Sequence, residues 1–302
     1  MSNIFQSGIT AAANSDALFI TLNVLTHKQD TIKAQLNQAQ AIISHFQQNH
    51  AASNPHAVTA IGNEFWQKLD TKSQPKELCA FPSIKSIPAT LITPVDLLLH
   101  IRSNRRDLTY LLAKTLMELL SNSVELVEEV SCFKYLDSRD LTGFVDGTEN
   151  PEGKHRAEVS LVKKEHDADF ANGSYIHLQR FVHNLNNWQT LPIKDIMGRT
   201  KEEHIEYESH KKPLTAHTTR ASAKGEHGEG LEILRHSMPY ASLSEAGLLF
   251  ASYCSSPINF SKMLENMMLG DGSGHTDKLM NYTKAVTGQA FFAPSISWFE
   301  NH

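Results

Sequence analysis

The order of apolar segments limits the possible folds of this chain more than any other feature of its sequence. Short continuous apolar runs, which favour buried strands, alternate in the first half with segments whose apolar residues recur at helical spacing. In the clearest helical segment, Ile32, Leu36 and Ile43 fall on one face. The predicted strands cover residues 17–25, 58–66, 96–101 and 124–135, and the predicted helices cover residues 30–48 and 107–120. This β-α-β-β-α-β order is that of a ferredoxin-like unit.

The second half of the chain repeats this order of elements without repeating the sequence. Strands are predicted at residues 174–182, 233–240, 247–254 and 290–294, helices at 259–268 and 276–286, and a helical and irregular stretch at 186–198. We therefore predict an α+β fold with a duplicated ferredoxin-like architecture, in which antiparallel sheets carry helices on their outer faces. The two halves would be residues 1–137 and 138–302 of one continuous fold.

Composition and charge exclude several classes of function. Of the 302 residues, 40% are hydrophobic and 20% are charged, which is ordinary for a globular protein with a substantial core. The net charge is −5 and the Lys and Arg residues are scattered, so we expect no binding of nucleic acid or of an anionic membrane. No apolar run reaches the roughly 18 residues that a transmembrane helix needs.

The N-terminal segment and the cysteines indicate a cytoplasmic protein. Residues 1–17 have neither a basic start nor a continuous apolar run, so they do not resemble a signal peptide. Cys79, Cys132 and Cys254 lie far apart, are odd in number and lack the spacing of a zinc site. We expect them to be buried thiols in a reducing compartment. The 16 histidines leave room for a metal ligand, although most histidines in proteins are solvated or hydrogen-bonded.

The stretch GFVDGTENP, residues 143–151, allows two interpretations. In the first, a strand ends in an ordinary turn, because Asp-Gly supplies turn chemistry and the residue before a proline avoids the helical region. In the second, the strand presents Asp146 to a ligand that the backbone at Gly147 approaches closely. Residues 198–230 are polar and without a clear period, which is typical of a functional or ligand-ordered loop. The common nucleotide, zinc-protease and esterase fingerprints are absent.

A larger set of motifs resembles the dye-decolorizing peroxidases, a family of haem enzymes. The run RDLTGFVDGTENP, residues 139–151, contains the family's G-x-x-D-G-T signature. The other matching motifs are DLLLHIRS (96–103), MGRTK (197–201), LTAHTTRA (214–221), ILRHSMPY (233–240), GLLFASYC (247–254) and FFAPS (291–295). The resemblance covers nearly the whole chain and is greatest to the short bacterial B-type, or P-type, members. It implies a duplicated ferredoxin-like fold of the dimeric α+β barrel kind, with the haem site in the C-terminal half.

On the proximal face of the haem, the resemblance assigns one ligand to the iron. His217, in LTAHTTRA, matches the position of the axial ligand. Such a histidine normally donates its other ring proton to a carboxylate or a carbonyl. Asp277 matches the position of that carboxylate. From the residues alone, Asp277 is equally compatible with an acid at the start of a helix.

On the distal face, the resemblance implies an acid–base group, Asp146, and a fixed positive charge, Arg235. Hydrogen peroxide must lose a proton from one oxygen and receive one on the other, and a carboxylate can take the first proton only where it is ionised. Arginine keeps its proton, so it would stabilise the negative charge that develops as the O–O bond breaks. Gly147 would let the backbone lie close to the macrocycle. Many members have Asn where this chain has Ser237, whose shorter hydroxyl can hold a water.

Four further residues keep two possible roles each. As bare sequence, Leu248 and Phe250 would be ordinary core residues, whereas the resemblance implies an apolar wall on the distal side. Arg199 and Lys201 could order the polar segment or meet the haem propionates, and a solvated charge pair is just as compatible with the sequence.

The resemblance predicts a haem-b peroxidase that reduces hydrogen peroxide and oxidises bulky donors, such as dyes and phenolics, in one-electron steps. Such donors are too large for the pocket, so electrons would pass through surface aromatic residues. Tyr240 is the first candidate, followed by Tyr135 and Trp298, and core packing is the competing role for all three. Two alternatives from other classes are a haem-handling protein with incidental peroxidase activity and a haem-free ferredoxin-like binding module. A homo-oligomer is predicted, and the seven residues after Ser295 are too few for the long extension by which some relatives enter encapsulin shells.

Overall fold

The computed structural model describes residues 4–70, 72–84, 91–188, 191–201 and 212–301. Of the polar segment 198–230, residues 202–211 lie outside the described residues. Among the helices that are described, none combines the length and the apolar character that crossing a bilayer requires. Cys132 and Cys254 are buried as expected, but Cys79 is exposed, because it lies in the loop that follows the second helix.

The N-terminal half forms a ferredoxin-like unit, as its sequence predicts. Its strands are β1 (Asp16–Val24), β2 (His56–Gly62), β3 (Leu97–Ser103) and β4 (Val124–Phe133), and its helices are α1 (Gln29–Asn49), α2 (Asn63–Leu69) and α3 (Arg106–Leu120). The strands pair antiparallel in the order β4-β1-β3-β2. Every residue of β3 is buried, which agrees with the continuous apolar run in its sequence.

The predicted strand 58–66 is too long at its C-terminal end, because α2 begins at Asn63. A side chain at Gly62 would collide with the carbonyl oxygen of Val95, so the strand ends against a close neighbour. Phe65, Trp66 and Leu69 then follow helical spacing and are all buried. Tertiary packing, which the local apolar run does not reveal, decides this boundary.

The C-terminal half repeats the same strand order. Its strands are β5 (Ser174–His183), β6 (Leu234–Arg235), β7 (Met238–Ala241), β8 (Ala246–Cys254), β9 (Thr283–Ala285) and β10 (Gln289–Ala293). Its helices are α4 (His155–Ser160), α5 (Leu185–Trp188), α6 (Ile193–Met197), α7 (His217–Arg220), α8 (Pro257–Leu269) and α9 (Ile296–Asn301). The sheet order β10-β5-β8-β6 corresponds to β4-β1-β3-β2 of the first half, so the predicted α+β, duplicated ferredoxin-like fold is confirmed. The exact division at residue 137 stays a prediction.

The predicted helix 276–286 is wrong. A short 3-10 turn, Lys278–Asn281, is followed by β9, which pairs antiparallel with β5. The backbone groups of β5 form hydrogen bonds with this segment, which therefore becomes a strand of the sheet. β5 is distant from the segment in sequence. The segment's apolar residues are compatible with helical spacing, so periodicity alone favoured the wrong element.

Pairing of β2 with β10 joins the two units into a continuous sheet, of ten strands within the described ranges. At the far side β4 lies against β7, and Arg180 of β5 binds Glu128 of β4 at 2.8 Å, so the sheet curves back on itself. Side chains alternate between its two faces. On β8, Leu249 and Ala251 therefore enter the apolar core inside the curve, while Phe250 faces α8 on the outside. The candidate site lies on this outer face of the C-terminal half.

Candidate active site

His217 and Asp277 form the first element of the site. His217 begins α7, and its Nδ1 lies 2.7 Å from Asp277 Oδ2. The other carboxylate oxygen of Asp277 accepts the backbone N–H of Leu279 at 2.9 Å, so this buried acid both caps the 3-10 turn and holds the imidazole. Because the carboxylate accepts from Nδ1–H, the Nε2 lone pair of His217 is left for a ligand.

The same cleft brings most of the predicted site residues together. This central cleft contains about 1020 Å³ of empty space, which includes space open to solvent at its mouth. The residues singled out from the sequence that line it are Asp146, Arg199, His217, Arg235, Ser237, Leu248 and Phe250. Gly147 lines two neighbouring clefts at its edge, and Asp277 lies behind His217.

The signature loop places Asp146 at the wall of the central cleft. The backbone N–H of Asp146 donates to Ser138 O at 2.9 Å, and Gly147 follows with φ of 77°, a conformation that glycine adopts without strain. Burial raises the pKa of Asp146; the charge of Arg235 opposes this rise and that of Asp140 adds to it. Asp146 therefore holds a proton more readily than an exposed aspartate, as a group that takes up and returns protons requires. The loop is therefore a turn, as in the first interpretation of the sequence. It also places Asp146 at the wall of a cleft, as the second interpretation requires.

Asn150 connects the signature loop to β6. Its side-chain Nδ2 donates to Arg235 O at 2.8 Å, and the N–H of Arg235 donates to its Oδ1, also at 2.8 Å. The buried Nε of Arg235 has no hydrogen-bond partner among the described residues, so the guanidinium can donate to a ligand in the cleft. The charge of Arg235 acts on the Asp146 carboxyl, which also accepts the backbone N–H of Gly147.

Ser237 and the apolar wall complete this side of the cleft. The Ser237 hydroxyl accepts the backbone N–H of Ala251 at 3.2 Å, which leaves its own proton free to be donated. Leu248 and Phe250 line the cleft from β8, and the Phe250 ring lies 5.8 Å from that of Phe260 on α8. Phe250 therefore borders both the core and the cleft, whereas Leu248 is a partly buried residue of the cleft lining.

Sequence reasoning missed a second acid in the cleft, Asp140. Asp140 accepts the Thr142 hydroxyl at 2.6 Å and lies 3.3 Å from His183 Nε2. Burial alone would raise the pKa of Asp140, but hydrogen bonds from His183 and Thr142 hold it below its ordinary value. The signature run contains Asp140, so its position in that motif was an available signal. His183, at the end of β5, has no comparable signal in the sequence.

Arg199 and Lys201 both contact the signature loop. Arg199 donates to Thr148 Oγ1 at 2.7 Å and to the carbonyl oxygen of Val145, and it also lines the central cleft. The Lys201 ammonium lies 5.6 Å from the centre of the Phe144 ring. Both side chains therefore stabilise the loop that carries Asp146.

The three aromatic residues proposed as relays lie in different surroundings, and none of them lines the central cleft as described. Trp298 is packed in the core of the first half. Tyr135 is partly buried and lines a neighbouring cleft. Tyr240 is buried, its hydroxyl donates to Phe181 O at 3.0 Å, and Phe181 itself lines the central cleft. Tyr240 is therefore connected to the cleft by one hydrogen bond to the main chain of a lining residue.

Comparison with known proteins identifies the family. Family models described as Dyp-type peroxidase, N-terminal, and Dyp-type peroxidase, C-terminal, match residues 6–134 and 137–298. The dye-decolorizing peroxidase of Mycolicibacterium paratuberculosis is 34% identical over 299 residues, covering 97% of this chain and 84% of the relative.

Solved structures agree with this match over the whole chain. A crystal structure from Shewanella oneidensis, assigned to the dyp-type peroxidases, has 41% identity and a TM-score of 0.96, and the match covers 100% of this chain and 99% of that one. A variant of Rhodococcus jostii DypB in complex with heme has 31% identity and a TM-score of 0.92, and the match covers 98% of this chain and 97% of that one. The chain therefore belongs to the Dyp-type peroxidases, the family of the dye-decolorizing peroxidases.

Proposed function

We propose that this peroxidase binds haem b through His217, reduces hydrogen peroxide with Asp146 and Arg235, and oxidises bulky organic donors in one-electron steps. The observation that carries the proposal is that an imidazole held by a buried carboxylate shares one cleft with a carboxyl group and a guanidinium. The Dyp-type peroxidases are haem enzymes, and a relative is described in complex with heme. A cytoplasmic location and a homo-oligomer remain predictions.

The residues of the central cleft fit a haem. His217 would bind the haem iron through Nε2, because its Nδ1 is held by Asp277. The lining combines apolar side chains of β8 and α8 with a buried, unpartnered Nε on Arg235, so it offers contacts for a macrocycle as well as a hydrogen-bond donor. No group of three or more His, Cys, Asp or Glu side chains in the described ranges could hold a bare metal ion. A single imidazole is sufficient for iron already held by four porphyrin nitrogens.

The distal residues would move protons and stabilise charge. Haem, when bound, supplies iron that exchanges electrons with peroxide and donors. The ionised Asp146 carboxylate takes the proton from one peroxide oxygen and returns it to the other, where water is released. The Arg235 guanidinium stays charged and stabilises the oxygen that gains negative charge. The oxygen of the Ser237 hydroxyl already accepts the N–H of Ala251. The hydroxyl can therefore donate its proton to a water between Asp146 and Arg235.

The proximal assignment is tested with His217→Ala. We expect the variant to fold but to lose stable haem binding, since the purified chain would lack the strong iron ligand on that face. The measurement is the Soret absorbance per protein after haem reconstitution. A variant with full haem and an unchanged histidine-type spectrum would show that the axial ligand is a different residue.

The distal assignment is tested by comparing Asp146→Asn with Arg235→Leu in stopped-flow spectra after mixing with peroxide. Asparagine keeps the shape but cannot accept the proton, so the peroxide step should slow by about 10²-fold or more. Arg235→Leu should also slow the step and should weaken binding of cyanide or fluoride to the haem. An unchanged rate in Asp146→Asn would leave Asp146 a purely structural residue of the loop. A wild-type chain that binds haem but reacts only slowly with peroxide would favour the haem-handling alternative.

A further inference from the structure

A second cleft lies where the two halves of the chain meet. This junction cleft contains about 1010 Å³ of empty space up to its mouth. It shares Asp146, Arg235 and Ser237 with the central cleft, and its opposite wall comes from the N-terminal half, including Arg102 and Lys134. The distal residues therefore lie between the central cleft and a second, polar space.

The charge of the junction cleft is strongly positive, although the chain as a whole carries −5. Its described lining contains the basic side chains of Arg102, Lys134, Arg139, Arg156 and Arg235, against one acidic side chain, Asp146. Arg139 is neutralised by Asp137, whose Oδ1 lies 2.7 Å from its Nε. The remaining four positive charges face a single carboxyl group. A cleft lined by one sign of charge concentrates ions of the opposite sign.

Arg102 is buried without a negative partner among the described residues. Its guanidinium donates to His236 Nδ1 at 2.6 Å and to the carbonyl oxygen of Gly8, and both acceptors are uncharged. The His236 ring is neutral, because Nδ1 accepts from Arg102 while Nε2–H donates to Ile9 O at 2.8 Å. Burial lowers the pKa of Arg102 to about 10, so it still carries its charge at neutral pH. A buried charge without a counter-charge is costly, and a bound anion would supply one.

Arg156 has hydrogen-bonding capacity to spare. Its Nε donates to Pro151 O at 3.1 Å, and no other partner of its side chain lies in the described part of the chain. Arg235 contributes its positive charge to the same lining. Guanidinium groups bind oxyanions through two parallel N–H···O bonds, which gives geometric selectivity as well as charge.

We propose that the junction cleft binds a small oxyanion, such as phosphate or a carboxylate, against the Arg156 guanidinium and within the positive field of Arg102 and Arg235. This binding site goes beyond the proposed peroxidase function and does not require haem. The bound anion supplies the negative charge that Arg102 lacks within the protein. It also lies on the side of Asp146 that faces away from the haem cleft.

The experiment is isothermal titration calorimetry of sodium phosphate, and separately of sodium formate, into the full-length protein as purified, at constant ionic strength. Wild-type protein should bind one anion per chain, and the stronger of the two probes identifies the preferred oxyanion. Arg156→Gln should weaken binding by about tenfold or more, because the two charge-assisted hydrogen bonds from the guanidinium to the anion are lost. The matched control is Arg105→Gln, which removes an exposed arginine that pairs with Asp107 outside the cleft. This control should bind as wild type does.

Lys134→Gln provides a second variant that leaves the arginines in place, and we expect it to weaken binding a few-fold through lost charge. Folding of each variant is checked by circular dichroism. Absence of binding by wild-type protein would overturn the proposal, as would equal weakening in Arg105→Gln and Arg156→Gln. A phosphate-induced change in haem absorption that persists in Arg156→Gln would place the anion at the iron and would also overturn it. None of these readouts depends on peroxidase activity, so the proposed function can fail or stand separately.

Discussion

Asp140 and Asp146 belong to the same loop, yet their surroundings shift their pKa values in opposite directions. Burial raises the pKa of Asp146, and the charge of Arg235 only partly compensates. Burial acts in the same sense on Asp140, but hydrogen bonds from His183 and Thr142 outweigh it and lower the pKa. Carboxyl groups separated in this way commonly divide acid–base roles between them. Asp146 is the group that can exchange a proton, while Asp140 stays ionised.

These opposite shifts predict opposite effects of two matched substitutions on the stability of the haem-free chain. For Asp146, the raised folded pKa means that the protonated side chain adds to the free energy of unfolding. This contribution is fully present below the unfolded pKa of about 3.9 and is lost as pH rises through the higher folded pKa. Asp146→Asn should therefore be more stable than wild type at pH 7, and the difference should shrink towards pH 4. Each unit of pKa shift corresponds to about 1.4 kcal/mol.

For Asp140 the sign reverses, because its folded pKa is the lower one. The contribution of the ionised Asp140 to the free energy of unfolding is present above the unfolded pKa of about 3.9 and is lost as pH falls through the folded pKa. Asp140→Asn should be less stable than wild type at pH 7, with the difference shrinking in acid. Urea unfolding of both variants from pH 7 down to about pH 3 measures these differences. The same sign of effect for both variants would contradict the assigned shifts.

Asp277 carries two functions that one substitution can separate. Asn caps helical turns about as well as Asp, so Asp277→Asn should keep the bond to the Leu279 N–H and the fold. It removes the negative charge that stabilises Nδ1–H of His217, so haem affinity should fall about 10- to 100-fold. The measurement is the rate of haem transfer to an excess of an acceptor protein. An unchanged transfer rate together with an unchanged melting temperature would limit Asp277 to the capping role.

At the scale of elements, Asn150 determines how the signature loop lies against β6. Its two hydrogen bonds to the main chain of Arg235 fix the loop and the strand relative to each other, and therefore fix Asp146 relative to Arg235. Asn150 contacts neither the proposed iron ligand nor the central cleft. It is a positioning residue.

Asn150→Ala should slow the peroxide step by about tenfold or more, because small displacements of catalytic groups have large effects on rate. Loss of the two bonds should also lower the free energy of unfolding by about 1–3 kcal/mol. The pH at which the peroxide step is half-maximal should change as well, since the charge of Arg235 opposes the raised pKa of Asp146. Stopped-flow rates at several pH values measure both effects.

The control for Asn150 is Asn259→Ala, which removes a similar amide bond, from Nδ2 to Glu232 O at 2.8 Å, and leaves both bonds between Asn150 and Arg235 in place. This variant should lose stability without any change in the pH profile of the peroxide step. If both variants alter the profile equally, the effect reflects general loosening of the fold and Asn150 has no special role.

At the scale of the whole molecule, Tyr240 lies in a polar cluster that helps to close the curved sheet. Arg180 on β5 binds Glu128 of β4 at 2.8 Å and Glu245 at 2.6 Å, the latter at the start of β8. The Tyr240 hydroxyl lies 3.2 Å from Glu245 and donates to the carbonyl oxygen of Phe181. Burial raises the pKa of Tyr240 to about 12, so the ring keeps its proton at neutral pH. A neighbouring carboxylate could accept that proton if the ring lost an electron.

Tyr240→Phe tests this role with two donors, a large dye and a small phenol, alongside the peroxide step. The lost hydroxyl should cost about 1 kcal/mol of stability. If Tyr240 passes electrons from the surface, dye turnover should fall while the peroxide step stays unchanged and the small phenol, which can approach the haem edge, is still oxidised. Equal loss on both donors, or no loss, would exclude Tyr240 from the electron path.

The sequence by itself determined most of the order of elements and supplied the candidate site residues, whose roles stay predictions. Periodicity and apolar runs depend on neighbours within a few positions, so they were sufficient for α1, β3 and β8. The motif resemblance selected His217 among 16 histidines, a choice that no local pattern could have made. The structure places His217, Asp146 and Arg235 around one cleft, and their roles at a haem stay predictions.

Only the tertiary structure decided the features that depend on partners distant in the chain. Residues 283–285 form a strand because β5 offers them a backbone edge, about a hundred residues earlier in the sequence. The bonds of Asn150 to Arg235, of Asp140 to His183 and of Arg102 to His236 likewise join segments far apart. Hydrogen bonds act over about 3 Å in space whatever the separation in sequence. The fold alone therefore sets which polar groups meet, which charges stay unpaired, and in which direction each pKa moves.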